Sequence, residues 1–292
     1  MDSGRLVILA GGISSRMKRA ADPGKKIDSR LLSEADHKEK SMLGVGDEQR
    51  PFLDYLLFNA RESGYRDVVI VINEQSNGVK SYYGNKEQFN EFHGLSISYA
   101  VQRIPPGREK PLGTADALCQ ALQSRKDWTG QKFTVCNSDN LYSTKALNLL
   151  LNHEHPNALI DYERDALEFN SDRIEAFAVI AMDEEQYVTD IIEKPTPEEV
   201  NAARRDDGRI GVSMNIFSFS YEQIVPFLEA VPLHPVRREK EIPTAVKMMV
   251  AKYPKSVYAY PLAEHVPDLT NKTDIMTVKE YLDMHFPKPL FG

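Results

Sequence analysis

The chain has only two cysteines, Cys119 and Cys136, in 292 residues. That excludes a disulfide framework and a cysteine-rich zinc module, and it fits a reducing compartment in which both thiols serve as small buried hydrophobes. No apolar stretch approaches the roughly 20 residues of a membrane helix. Met1-Asp2-Ser3-Gly4-Arg5 enters an apolar strand at once, without the pattern of a secretory leader, so a cytoplasmic location is expected. Positive charge is also short: 36 Lys and Arg stand against 43 Asp and Glu, a formal charge of −7. A general nucleic-acid or membrane-surface role needs the opposite field. Neither Gly-x-Gly-x-x-Gly nor a Gly-Lys-Ser/Thr P-loop occurs, and lack of the former counts against an oxidoreductase. No internal repeat is visible.

What is present is ordinary in composition and specific in pattern. Hydrophobic residues make up 41% and charged residues 27%, as in a soluble globule. Strand-like and helix-like segments alternate, which predicts an α/β fold, a Rossmann-like largely parallel mixed sheet flanked by helices, in one continuous domain over 1–292. Strands are expected near 5–9, 67–73, 95–101, 132–137, 157–162, 175–182, 187–193, 212–219 and 256–262. Helices are expected near 51–63, 113–124, 143–154, 220–230, 240–252 and 273–284. Pro51 suits a first helical turn, Gly64 a carboxyl-terminal cap, and Ser143 or Thr144 an amino-terminal one.

The segment Leu9-Ala10-Gly11-Gly12-Ile13-Ser14-Ser15-Arg16-Met17 follows the short apolar run Arg5-Leu6-Val7-Ile8. Without a Cβ at Gly11 or Gly12, successive N–H groups can converge on phosphate oxygens, and Arg16 adds a forked cationic donor. A tight turn at a strand end is the plainer alternative. Pro111-Leu112-Gly113-Thr114-Ala115-Asp116 again places glycine where a strand hands over to a helix. Then Phe133-Thr134-Val135-Cys136 runs into Asn137-Ser138-Asp139-Asn140, a carboxylate at the strand end where open α/β sheets bind ligands. Ile192-Glu193-Lys194-Pro195, Ser213-Met214-Asn215 and Asp268-Leu269-Thr270 follow.

This ordered set resembles the sugar-phosphate nucleotidyltransferases, or nucleotide-sugar pyrophosphorylases, across nearly the whole chain. Their pattern has Leu-Ala-Gly-Gly-x-Gly-Thr-Arg, Pro-Lys, Gly-Thr-Ala or Gly-Leu-Ala, Gly-Asp, Glu-Lys-Pro and a late Asp. Here Gly-Thr-Arg becomes Ser14-Ser15-Arg16, Pro-Lys becomes Glu39-Lys40, Gly-Asp becomes Ser138-Asp139, and the glycine after Ser-Met becomes Asn215. Ser-Ser-Arg-Met also resembles the loop of the molybdenum-cofactor nucleotidyltransferases.

The resemblance implies a nucleoside triphosphate and a sugar-1-phosphate as substrates, Mg2+ as cofactor, and an NDP-sugar and pyrophosphate as products. It puts Leu9, Ala10, Gly11, Gly12, Gln102, Gly113 and Thr114 at the nucleotide, with the Gln102 amide suited to a base edge. Arg16, Lys40 and Lys194 become the catalytic cations, and Asp139 and Asp268 the metal ligands. Asp268 could equally be a turn or capping residue, and Asp274 competes with it, although its spacing fits a helix amino terminus. Glu193 and Lys194 are implied at the sugar phosphate, Lys194 being held extended by Pro195; a surface ion pair between neighbours is the bland reading. Asn215 could bond the sugar or satisfy a backbone group.

Residues 16 to 40 carry eight Lys and Arg against five Asp and Glu, so an inserted basic loop at about 18–39 could be a mobile flap over the triphosphate or a solvated surface segment. Lys18, Lys25 and Lys26 compete with Lys40, which is preferred because Ser41-Met42-Leu43 and Pro51-Phe52-Leu53 continue it as in the family. Two other classes remain: a glycosyltransferase with a degraded Asp-x-Asp at Asn137-Ser138-Asp139, and a non-catalytic regulatory subunit. Sugar, base and oligomeric state stay open.

Overall fold

The apolar runs do form strands, and the amphipathic ones helices, in a computed structural model that describes residues 4–12, 17, 27–74 and 76–291. In chain order the elements are β1 (Gly4–Leu9), α1 (Ser29–His37), α2 (Phe52–Glu62), β2 (Tyr65–Asn73), α3 (Asn77–Tyr83), β3 (Asn90–Phe92), β4 (Leu95–Gln102), α4 (Thr114–Ser124), β5 (Lys132–Asn137), α5 (Thr144–Asn152), β6 (Ala158–Glu163), α6 (Ser171–Glu175), β7 (Val179–Met182), β8 (Val188–Ile192), α7 (Pro197–Ala202), β9 (Gly211–Val212), β10 (Ile216–Ser220), α8 (Tyr221–Ala230), α9 (Ile242–Lys252), β11 (Tyr258–Leu262) and α10 (Ile275–His285). The fold is α/β, a mixed sheet flanked by helices, as expected. Among the described residues no helix is long and apolar enough to cross a membrane.

Two compact units can be distinguished: one comprises the described parts of Met1–Pro111, Asn137–Thr144 and Pro267–Gly292, the other Leu112–Cys136 and Lys145–Val266. In the first, the strand order is β3-β4-β2-β1. Parallel pairing of β2 with β1 and β4 buries its Val68-Val69-Ile70-Val71 run completely, which is why that run is apolar on both faces. Pro51 starts α2 as its cap, and Phe52, Leu53, Leu56, Leu57 and Ala60 drive that helix into the core. At about 1.5–3 kcal/mol for each large apolar side chain buried, this face alone outweighs α2's weak intrinsic helix preference.

In the second unit the order is β5-β10-β6-β9-β7-β8, with β11 parallel to β6 and the other pairings antiparallel. Leu118, Leu122, Ile224, Leu228, Val246 and Met249 are the buried faces of α4, α8 and α9. The strand expected at 212–219 is interrupted: β9 stops at Val212 and β10 starts at Ile216, because Asn215 lies at φ +57° and breaks the extended run. The one expected at 175–182 is confined to Val179–Met182, behind α6.

Candidate functional site

The glycine loop of the first unit is anchored from both sides. Ala10 N–H donates to the Val71 carbonyl at 2.8 Å, and Ser138 N–H donates to the Leu9 carbonyl at 3.2 Å. The end of β1 therefore lies beside Ser138 and Asp139. Gly11 is tightly enclosed, since a Cβ there would stand 3.2 Å from Gln102 Oε1. That places the buried Gln102 amide against the loop. Gly12 differs: it is exposed, and no described atom lies within 4 Å of where its Cβ would be. Packing against the described residues therefore does not require a glycine there, whereas close approach of a phosphate would. Arg16, Lys18, Lys25 and Lys26 lie outside the described residues.

Asp139 and Asp268, far apart in sequence, meet in this unit. Asn140 and Asp268 form an antiparallel bridge, Leu269 N–H donates to the Asp139 carbonyl at 2.8 Å, and Leu141 N–H to the Pro267 carbonyl at 2.8 Å. With the backbones fixed, the Thr270 hydroxyl donates to Asp268 and stands 3.5 Å from Asp139 Oδ2. The Lys40 ammonium pairs with that same oxygen. Asp274 sits at the helix amino terminus that its spacing suggests, the partner of Asn271 in a capping box, accepting from Thr270 N–H at 3.0 Å and Asn271 N–H at 2.7 Å.

Two hard carboxylates fit magnesium, which commonly takes one or two of them and completes its shell with phosphates and water. No group of three or more His, Cys, Asp or Glu suited to a metal occurs among the described residues.

The described part of the basic insertion, 27–39, is built around a helix. Asp28 caps α1 by accepting from Arg30 N–H at 2.7 Å, and Leu31 and Ala35 are buried beneath the helix. Glu34 takes Arg30 at 2.8 Å, Lys38 at 3.2 Å and the Gly44 N–H at 2.9 Å. Burial alone would raise the Glu34 pKa, but these donors hold it below the ordinary value. Residues 29–37 are thus a helix packed on its Leu31 and Ala35 side, and its Arg30 is held by Glu34 and the Gly44 carbonyl. Among the described cations of this stretch, Lys40, just beyond the helix, is the one that reaches Asp139.

In the second unit Glu193 leaves β8 and pairs with Arg237, whose Nη2 also holds Glu241. Arg237 Nε is buried and has no partner among the described residues. Burial, and then the charge of Glu193, push the Glu241 pKa up to about 7. Lys194 is exposed, and it makes no ion pair among the described residues, so the neighbour salt bridge is not formed. Its backbone corrects the sequence expectation: φ is +50°, left-handed and not extended. Pro195 disfavours the right-handed helical region for Lys194, while the chain must reverse from β8 into the Thr196–Glu199 capping box of α7.

Asn215 is exposed, and its N–H donates to Ser213 Oγ at 3.2 Å. Asparagine is among the few residues that tolerate φ near +57°, so it can replace a glycine here. At Gly113, φ is +108° and a Cβ would sit 2.4 Å from the Lys240 carbonyl oxygen. That oxygen accepts from Ala115 N–H at 3.0 Å, and Thr114 Oγ1 accepts from Ile242 N–H at 3.1 Å. Gly113 and Thr114 thus brace the 240–242 segment.

Leu9, Ala10, Gly11, Gly12, Gln102, Lys40, Asp139 and Asp268 fall in the first unit, and Gly113, Thr114, Glu193, Lys194 and Asn215 in the second. Sequence reasoning missed Thr270, Arg237 and Glu241. The signals were a hydroxyl two residues after a candidate ligand, and a charged cluster, Arg237 to Glu241, immediately before a helix.

A family model described as nucleotidyl transferase matches residues 29–281. Glucose-1-phosphate adenylyltransferase 2 of Vibrio vulnificus is 26% identical over 217 residues, covering 74% of this chain and 49% of that protein. Its Vibrio cholerae counterpart is 24% identical over 213 residues, covering 73% and 48%. The chain spans about half the length of these relatives. Among solved structures, a UDP-glucose pyrophosphorylase complexed with UDP-glucose superposes with a TM-score of 0.68 at 15% identity, over 97% of this chain and 99% of that one. A Bacillus anthracis structure assigned as a glucose-1-phosphate thymidylyltransferase gives 0.65 at 18%, over 99% of each chain. These two show the fold.

Proposed function

The chain belongs to the nucleotidyl transferase family, and from that premise we propose that it transfers a nucleotidyl group from a nucleoside triphosphate to a sugar-1-phosphate, releasing pyrophosphate. The observation that carries this reading is the meeting of Asp139 and Asp268 around Thr270, with Lys40 on Asp139 and the Gly11-Gly12 loop at the adjoining strand end.

In such a transfer a sugar-phosphate oxygen attacks the α-phosphorus in line, and both reactants are anions. Magnesium, when bound, would neutralise part of that charge and orient the phosphates. Asp139 and Asp268 would hold it. The N–H groups around Gly11 and Gly12 receive phosphate oxygens in this reading, with Arg16 and Lys40 offsetting the charge that grows on pyrophosphate. Gln102, Gly113 and Thr114 are assigned to the nucleotide. Lys194 takes the sugar phosphate, Glu193 accepts from sugar hydroxyls with Arg237 fixing its carboxylate, and Asn215 adds a polar contact. No covalent enzyme intermediate is required, because alignment alone can supply about 7 kcal/mol or more. We place the enzyme in the cytoplasm on its cysteine usage.

The test is pyrophosphate release with magnesium across the common nucleoside triphosphates and a sugar-1-phosphate panel, headed by glucose-1-phosphate from the relatives' names. Turnover with one pair is expected, and Asp139→Asn should lower it by more than about tenfold, or 1.4 kcal/mol in barrier. Absence of release from every pair would overturn the proposal.

A further inference from the structure

Lys40 stands in a short 3-10 turn, Lys40–Met42, whose next two residues, Ser41 and Met42, are buried. The backbone is anchored, and the charged group sits at the end of a flexible four-carbon stem. Its ammonium lies on Asp139 Oδ2, the oxygen that Thr270 Oγ1 also faces at 3.5 Å. Thr270 has one hydroxyl proton, and the shorter of its two contacts gives that proton to Asp268. On Oδ2, therefore, the strong partner is Lys40. The pair is largely shielded, with 19% of the Lys40 side chain and 12% of the Asp139 side chain exposed, so solvent screens it less than a surface pair.

Resting on the reading of Asp139 and Asp268 as cation ligands, we propose that Lys40 is a displaceable counter-ion: it competes with a divalent cation for Asp139 Oδ2, and it suppresses binding of the bare cation. A cation cannot bind that oxygen while an ammonium remains in contact with it, since like charges so close repel strongly. The bare ion must break the ion pair, and among the described residues Asp139 is the carboxylate that Lys40 pairs with. A cation that arrives on a triphosphate imposes no such loss, because the polyanion offers the released ammonium new oxygens. Lysine suits this role as a compact point charge on a rotatable stem, where the forked guanidinium of arginine would hold the carboxylate bidentately. Cation and nucleotide thereby load together.

The test is Mn2+ binding to the full chain without nucleotide, read from the electron paramagnetic resonance signal of free Mn2+. Lys40→Met should bind Mn2+ about tenfold more tightly than the wild type. Unchanged or weaker binding, in a variant whose circular dichroism and melting temperature match the wild type, would overturn the inference. A second measurement needs no variant. If Mn2+ frees Lys40, saturating Mn2+ should accelerate labelling of Lys40 by an amine-reactive reagent, quantified by mass spectrometry; an unchanged or slower rate counts against the idea. Asp139→Asn separates the layers. If it binds Mn2+ as tightly as wild type, the assignment of Asp139 as a ligand fails and the counter-ion role with it. If it weakens binding while Lys40→Met changes nothing, only the counter-ion role fails.

Discussion

Asn215 and Lys194 both have left-handed backbones on residues that carry a Cβ, at φ +57° and +50°. Such conformations cost about 1–3 kcal/mol each and tend to cluster at binding sites. Asparagine meets most of that cost through its short polar side chain, so Asn215→Gly should change stability by less than about 1 kcal/mol. Asn215→Val should cost more than about 1 kcal/mol, because a β-branched side chain fits this region poorly. Urea denaturation measures both, and equal stability of the two variants would refute the backbone argument. Lys194 differs in being exposed without an ion pair among the described residues. If its ammonium serves the sugar phosphate, Lys194→Ala should weaken sugar-phosphate binding by about tenfold or more in isothermal titration, with triphosphate affinity nearly unchanged. Unaltered sugar-phosphate affinity would remove Glu193-Lys194 from the site.

At the scale of elements, the turn into α4 is a bracket for the segment that begins α9. Gly113 presses on the Lys240 carbonyl, and Thr114 accepts from Ile242 N–H. Gly113→Ala meets backbone, which moves less readily than a side chain, at a φ of +108°. A loss above about 2 kcal/mol is expected in denaturant melts, and a loss under about 0.5 kcal/mol would show that the segment can shift freely. This element was only half legible in the sequence. The glycine at a strand-to-helix junction was visible, but its partner lies more than a hundred residues away and no local pattern announces it. The same distinction holds elsewhere. The apolar runs at 6–8 in β1, 68–72 in β2 and 133–136 in β5 declare themselves because burial on both faces leaves no charged position in them. Helix α1 is hidden because only Leu31 and Ala35 are buried among charged neighbours, so its pattern reads as a solvated face. Asp139 and Asp268 could be nominated separately, whereas the Thr270 link and the Glu193–Arg237–Glu241 cluster are products of tertiary folding.

For the whole molecule, one buried and one half-buried group, His153 and Glu241, tie stability to pH in opposite directions. His153 is buried just past the end of α5, with Nε2 2.8 Å from Ser218 Oγ of β10; burial, then the charge of Lys132, lower its pKa from 6.5 to about 4. Between those values the unfolded chain binds a proton that the folded chain refuses, so this group's contribution is full above pH 6.5 and is lost as pH falls toward 4. Glu241 is the reverse. Burial and Glu193 raise its pKa from 4.5 to about 7, so the folded chain holds the extra proton, and its contribution is full below pH 4.5 and lost as pH rises through 7. Each slope has a ceiling of about 1.4 kcal/mol per pH unit. Where the two windows overlap, the slopes oppose, so the wild-type profile alone conceals both. Single variants should expose them: relative to wild type, Glu241→Gln should gain stability progressively from about pH 4.5 to 7, while His153→Gln should gain progressively as pH falls from 6.5 toward 4. Urea midpoints at constant ionic strength across this range provide the difference curves. A Glu241→Gln curve parallel to wild type would mean that Arg237 keeps Glu241 ionised in the fold, so that the ion pair between them, not burial, sets the state of this carboxyl across the series.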